Sequence, residues 1–128
     1  MPSLRRPRAI RPGARLALAA PAGPLDPKAL NSGKIALERL GFEVVVRDDI
    51  LDRDGYLAGS DERRASELMQ FVRDPEVDAI LCARGGYGCH RIIDSLDPKA
   101  FREASKPLVG YSDITTLLLW QRKHAGLL

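Results

Sequence analysis

Short apolar runs alternate with helical stretches along this chain, and that alternation constrains the fold more than any figure for composition. "ARLALAAP" (residues 14–21), "FEVVVR" (42–47), "VDAILCA" (77–83) and "KPLVGY" (106–111) read as four strands. They are apolar throughout rather than alternating, as strands covered on both faces are. Asp26 followed by Pro27 reads as a cap with proline at the first helical position, opening a helix that runs to about Leu40. Leu30, Gly33, Leu37 and Leu40 mark one of its faces, and Gly41 stands where a C-terminal glycine belongs. Ser60 opens a second helix, whose Ala65, Leu68, Met69 and Val72 form an amphipathic stripe ended by Pro75. "CHRIIDSL" and "DPKAFREA" read as short helices, and "DITTLLLWQRKHA" as the last one, closed by Gly126. Such alternation implies parallel strands joined by right-handed crossovers. The expected fold is α/β: a parallel-sheet, flavodoxin-like or Rossmann-like sandwich with helices on both faces.

The chain has 128 residues, 45% of them hydrophobic, which suits one domain with a real core. No stretch approaches the roughly 20 apolar residues of a membrane span, so no membrane partner is expected. Positive charge is concentrated at the start, in Arg5, Arg6, Arg8, Arg11 and Arg15. No stacking aromatics are interleaved there, so residues 1–12 read as a solvated, flexible basic tail rather than a nucleic-acid arm. The spacing of Cys82 and Cys89 matches no zinc or redox motif. Both read as buried thiols, and a cytoplasmic location is the simplest expectation. No metal or cofactor is expected.

In a parallel sheet, ligands bind beyond the carboxyl ends of the strands. Three segments gather at that edge: "APAGP" (20–24), "ARGGYG" (83–88) and "GYSD" (110–113). Ser112 sits between a strand end and a helix start, where it is either an N-cap or a nucleophile on a sharp turn. Gly110, Tyr111 and Ser112 match the start of the G-x-S-x-G elbow, but Ile114 stands where its second glycine should be. Gly85, Gly86 and Gly88 allow tight turns whose amides can face an anion. The loop fits neither a dinucleotide fingerprint nor a Walker loop, though a phosphate-binding module with Ser112 as a mere cap stays open. A serine also needs a base. His124 lies twelve residues along the same helix, about 18 Å away. His90 follows the glycine loop and reads as an exposed helix-end residue. Cys89, inside a helix start, is a poor nucleophile candidate.

"APAGP", "ILCARGGYGCHRIIDSLD" and "KPLVGYSDITTLL", in that order, resemble the N-terminal domain of the LD-carboxypeptidases, a family related to the microcin-immunity serine peptidases. The resemblance covers most of residues 13–128. It implies Ser112 as nucleophile, with the backbone amides of Gly86 and Asp113 as the oxyanion hole. It implies a murein tetrapeptide substrate cut before its terminal D-alanine during cell-wall recycling, or a peptidyl-adenylate analogue in the microcin-immunity branch. Arg84 and Gly85 are then the candidate substrate contacts, with Arg84 either meeting a carboxylate or bracing the loop. The family's glutamate and histidine lie in a C-terminal domain, which this chain is expected to lack; alone, it is expected to be inert. Without that second half, an apolar face would be left that a second copy could cover as a homodimer.

Overall fold

Capping chemistry places the helices. In the computed structural model, which describes residues 2–128, Asp26 accepts a hydrogen bond from the Ala29 amide and starts α1 (Pro27–Arg39). Ser60 accepts one from the Arg63 amide and starts α2 (Asp61–Arg73). Asp97 starts α3 (Pro98–Ala104) in the same way, through the Lys99 amide. Each cap satisfies an amide that the helix itself leaves without a partner. Strands β1 (Arg15–Ala19), β2 (Glu43–Val45), β3 (Ala79–Cys82) and β4 (Leu108–Val109) form one parallel sheet in the order β2-β1-β3-β4. Its register pairs Leu16 with Val44 and Ala79, and Leu81 with Val109.

Strand order and right-handed crossovers together decide which face each helix covers. The step from β1 to β2 runs one way across the sheet; those from β2 to β3 and from β3 to β4 run the other. Helix α1 therefore lies alone on one face. Ala17 and Ala19 point to the opposite face and join Leu68 and Phe71 of α2, Phe101 of α3 and Leu117 of α4 (Thr115–Trp120) in the main core. Each fully buried large side chain there contributes about 1.5–3 kcal/mol. Leu18 and Ala20 point to the α1 face with Leu25 and Ile50. That face is more thinly covered: α1 buries no residue completely, and a 580 Å³ groove lined by Leu25, Leu30, Leu37 and Leu81 runs beside it. Helices do cover both faces, three against one.

Three local expectations are corrected. "CHRIIDSL" forms two 3₁₀ turns, Cys89–Arg91 and Ile93–Ser95, rather than a continuous helix. The last helix is composite: a 3₁₀ turn at Ser112–Ile114, then α4, then a π turn at Gln121–Ala125 that ends on left-handed Gly126. The N-terminal segment is a docked strap rather than a solvated tail. Arg5 bonds the Gly126 carbonyl through its amide (2.9 Å) and accepts from Leu128 (3.1 Å), while the Arg8 amide donates to Ser105 (2.8 Å). Guanidiniums expected to face solvent reach main-chain carbonyls, Arg8 to Ala104 and Arg5 to Arg102. Among the described residues no helix is long and apolar enough to cross a membrane.

Candidate active site

The three loops do meet at the carboxyl edge, and glycine is what lets them. A Cβ on Gly85 would lie 2.8 Å from Ser112 Cβ and 3.0 Å from its Oγ. A Cβ on Gly23 would lie 2.9 Å from the Gly85 carbonyl, which already accepts the Gly23 amide at 3.0 Å. A Cβ on Gly110 would run into Ile114. That close packing bends β4 straight into the serine turn. Alanine at 85 is expected to cost about 1–3 kcal/mol by overpacking. An unchanged urea midpoint for Gly85→Ala would mean that the two loops part freely.

Ser112 is not a cap. Tyr111 occupies the N-cap position of the 3₁₀ turn, and no side chain bonds across it. Ser112 itself is exposed and has φ +59°, one of only two non-glycine residues among those described with positive φ. Such a backbone costs about 1–3 kcal/mol and collects at functional turns. The Asp113 amide lies in the first turn of the same helix, where N–H groups have no intrahelical acceptor. The Asp113 carboxylate accepts the Cys89 amide at 3.0 Å, tying the serine turn to the end of the glycine loop. Gly86, at φ +121°, is exposed on that loop.

The other candidates separate clearly. Arg84 braces the first loop, its Nη1 donating to the Pro24 carbonyl at 2.5 Å; the brace is to a carbonyl and not a salt bridge. His90 pairs with Tyr87, whose phenolic oxygen lies 3.4 Å from Nε2. His124 packs near the Trp120 ring. His90 thus lies against Tyr87 and His124 against Trp120. Cys89 is fully buried. Burial, with Asp113 beside it, pushes its thiol up, and burial pushes Cys82 up to about 12. Because the Cys82 value is raised on folding, the stability it contributes is intact below about pH 9 and is lost as pH climbs from there towards about 12. Neither thiol is expected to react with a disulfide reagent at pH 8 until the protein unfolds; stoichiometric labelling of the native protein would contradict that.

One set of residues was not anticipated. Arg63, Arg64 and Glu67 of α2 are buried, Arg64 and Glu67 completely. Arg64 Nη1 donates to the carbonyls of Pro21 (3.0 Å) and Gly88 (2.9 Å), and Nε to Gly59 (3.3 Å). Arg63 reaches the carbonyls of Ala58 (2.7 Å) and Ala20 (2.8 Å). Glu67 Oε1 accepts the Ala20 amide at 2.7 Å, and its Oε2 pairs with Arg63 at 3.0 Å. Burial pushes the Glu67 carboxyl up; Arg63 and the Ala20 amide pull it back. The start of α2 thereby holds the loops at residues 20–21, 58–59 and 88 by their backbone. The signal was in the spacing: 64, 67, 68 and 71 follow i, i+3, i+4, i+7 and share one stripe.

Comparison with known proteins agrees with this fold. The family model described as "LD-carboxypeptidase N-terminal domain" matches residues 16–128. A Bacillus subtilis protein named "Probable murein peptide carboxypeptidase" is 40% identical over 122 residues, 95% of this chain and 38% of its own length. A solved MccF-like protein from Bacillus anthracis superposes with a TM-score of 0.90 at 28% identity, covering 95% of this chain and 38% of that one. The muramoyltetrapeptide carboxypeptidase from Oxalobacter formigenes does so with a TM-score of 0.81 at 29% identity, covering 87% and 37%. The chain thus spans less than two-fifths of the length of each of these three relatives. A family model that matches nearly the whole of this chain, residues 16–128, means that the chain belongs to the LD-carboxypeptidase N-terminal domain family.

Proposed function

We propose that this chain is the nucleophile-bearing part of a serine carboxypeptidase acting on murein tetrapeptides, with or without their muramoyl sugar. The observation that carries the reading is the left-handed, exposed Ser112 pressed against Gly85. Ser112 Oγ attacks the carbonyl carbon of the bond to the terminal D-alanine. The carbonyl oxygen takes up the negative charge, and the amides of Gly86 and Asp113 donate to it. Aligned donors of this kind are worth about 3–4 kcal/mol each in the transition state. As the intermediate collapses, D-alanine leaves with a proton and an acyl-serine remains, which water then hydrolyses. Arg84, held at one nitrogen by Pro24, offers its other N–H groups to the substrate's terminal carboxylate. The base that takes the serine proton comes from outside these residues: His90 is paired with Tyr87, and His124 lies along the helix at Trp120. The relatives carry about three-fifths of their length beyond the matched part, and that remainder is where the base belongs.

The test is D-alanine release from a murein tetrapeptide. The 128-residue chain alone is expected to release none. The same chain substituted for the matching part of the Bacillus subtilis relative is expected to release it. Release by the isolated chain would overturn the division of the catalytic groups.

A further inference from the structure

We propose that Tyr56 and Tyr87 form a platform for a pyranose ring carried on the amino-terminal side of the peptide, a proposal that rests on the murein-peptide reading above. Both rings are exposed, 62% for Tyr56 and 48% for Tyr87, yet both stand on rigid backbone. Tyr56 lies at the tip of a tight turn in which Asp54 and Leu57 exchange both backbone hydrogen bonds, at 2.9 and 3.0 Å. Leu57 and Ala58 behind it are buried, and the Ala58 amide donates to Ala22 at 2.8 Å. Tyr87 stands between Gly86 and Gly88, at φ +121° and +112°, which turn it outward. Arg64 bonds the carbonyls of both Gly59 and Gly88, so the two loops hold a constant separation. The rings lie 5.5 Å apart and tilted by 59°, and Tyr87 is steadied by His90 at 4.9 Å.

The chemistry of the patch selects the ligand. An aromatic face is electron-rich, so it attracts the slightly positive C–H groups of a saturated ring. Beside it, the Asp61–Arg91 ion pair is partly exposed and offers both acceptors and donors to hydroxyl groups. The two faces are tilted by 59°, so a single flat base can lie on only one of them. The reach is also right. Three extended residues before the scissile bond span about 10 Å. Gly85 touches Ser112, and Tyr87 stands two residues further, at most about 7 Å along the chain. The Tyr56 ring lies another 5.5 Å away.

The experiment is a titration of the ¹⁵N-labelled chain with one tetrapeptide prepared with and without the muramoyl group. The muramoyl peptide is expected to bind about 3- to 10-fold tighter, the coupling of a well-placed aromatic contact. Only it should shift the amides of 55–57, 87, 90 and 91. Tyr56→Leu, which removes an exposed ring, should bring the ratio towards one, as should Tyr87→Leu; Tyr87→Phe, which keeps the ring, should preserve it. Equal affinities would overturn the platform while leaving the peptide reading intact. So would a ratio that survives both leucine substitutions, or the same shifts and affinity with adenosine monophosphate. If neither peptide binds, platform and peptide reading fall together.

Discussion

Ser112→Ala, in a form of the protein that carries the family's remaining length, is expected to lower D-alanine release by about 10⁴- to 10⁶-fold. Loss of a nucleophile removes the covalent route altogether, and donor alignment alone leaves only a small residual rate. Stability should barely move, because alanine retains the Cβ and the backbone stays at φ +59°. Ser112→Gly separates the two roles of the position. It abolishes the reaction equally, yet it relieves the left-handed backbone and is expected to stabilise the isolated chain by about 1 kcal/mol. Urea unfolding of the two variants measures this directly. If glycine is no more stable than alanine, the turn is not strained. If alanine retains activity within tenfold of the parent, Ser112 is not the nucleophile.

Arg64→Ala is expected to destabilise the chain by about 3–5 kcal/mol, the range for breaking a buried charged network. The side chain has no solvent exposure, and its loss strips donors from the buried carbonyls of Pro21 and Gly59, while Gly88 keeps only the Arg91 amide. Each carbonyl left without a donor costs about 1–3 kcal/mol when water cannot replace the partner. Arg64→Lys should recover only part of the loss. A single ammonium cannot reproduce the planar fork that reaches three loops and Asp61 at once. Hydrogen exchange offers the sharper readout: amides of 20–23 and 85–89 should exchange faster in Arg64→Lys while those of β1 and β3 do not. Uniform acceleration across the sheet would mean that Arg64 supports the core in general and not the loops.

Much of the fold was legible because its signals are local. Asp26-Pro27, Ser60 and Asp97 start helices through their own side chains. Gly41 and Gly126 accept left-handed backbone, as expected at helix ends. The glycine loop and the serine turn were legible as motifs, and alternation alone placed them at one edge. Less was readable where neighbours decide. The strap at residues 3–8 looks like a solvated tail because its partners, Arg102, Ser105 and Gly126, lie about a hundred residues away in the chain. Arg64 and Glu67 look like surface charges because the groups that offset their desolvation, carbonyls for Arg64 and the Ala20 amide for Glu67, come from loops distant in sequence. The choice between cap and nucleophile at Ser112 was undecidable locally, since both use the same residue at the same helix start.

The sequence by itself determined the parallel α/β plan and the edge at which the glycine loop and the serine turn lie, because strand period, capping and glycine tolerance act over a few residues. Only the tertiary structure decided that Ser112 stands strained and uncapped against Gly85, and that buried arginines clamp the loops around it. Those outcomes depend on atoms brought together by crossovers between strands, where packing and desolvation outweigh local preference.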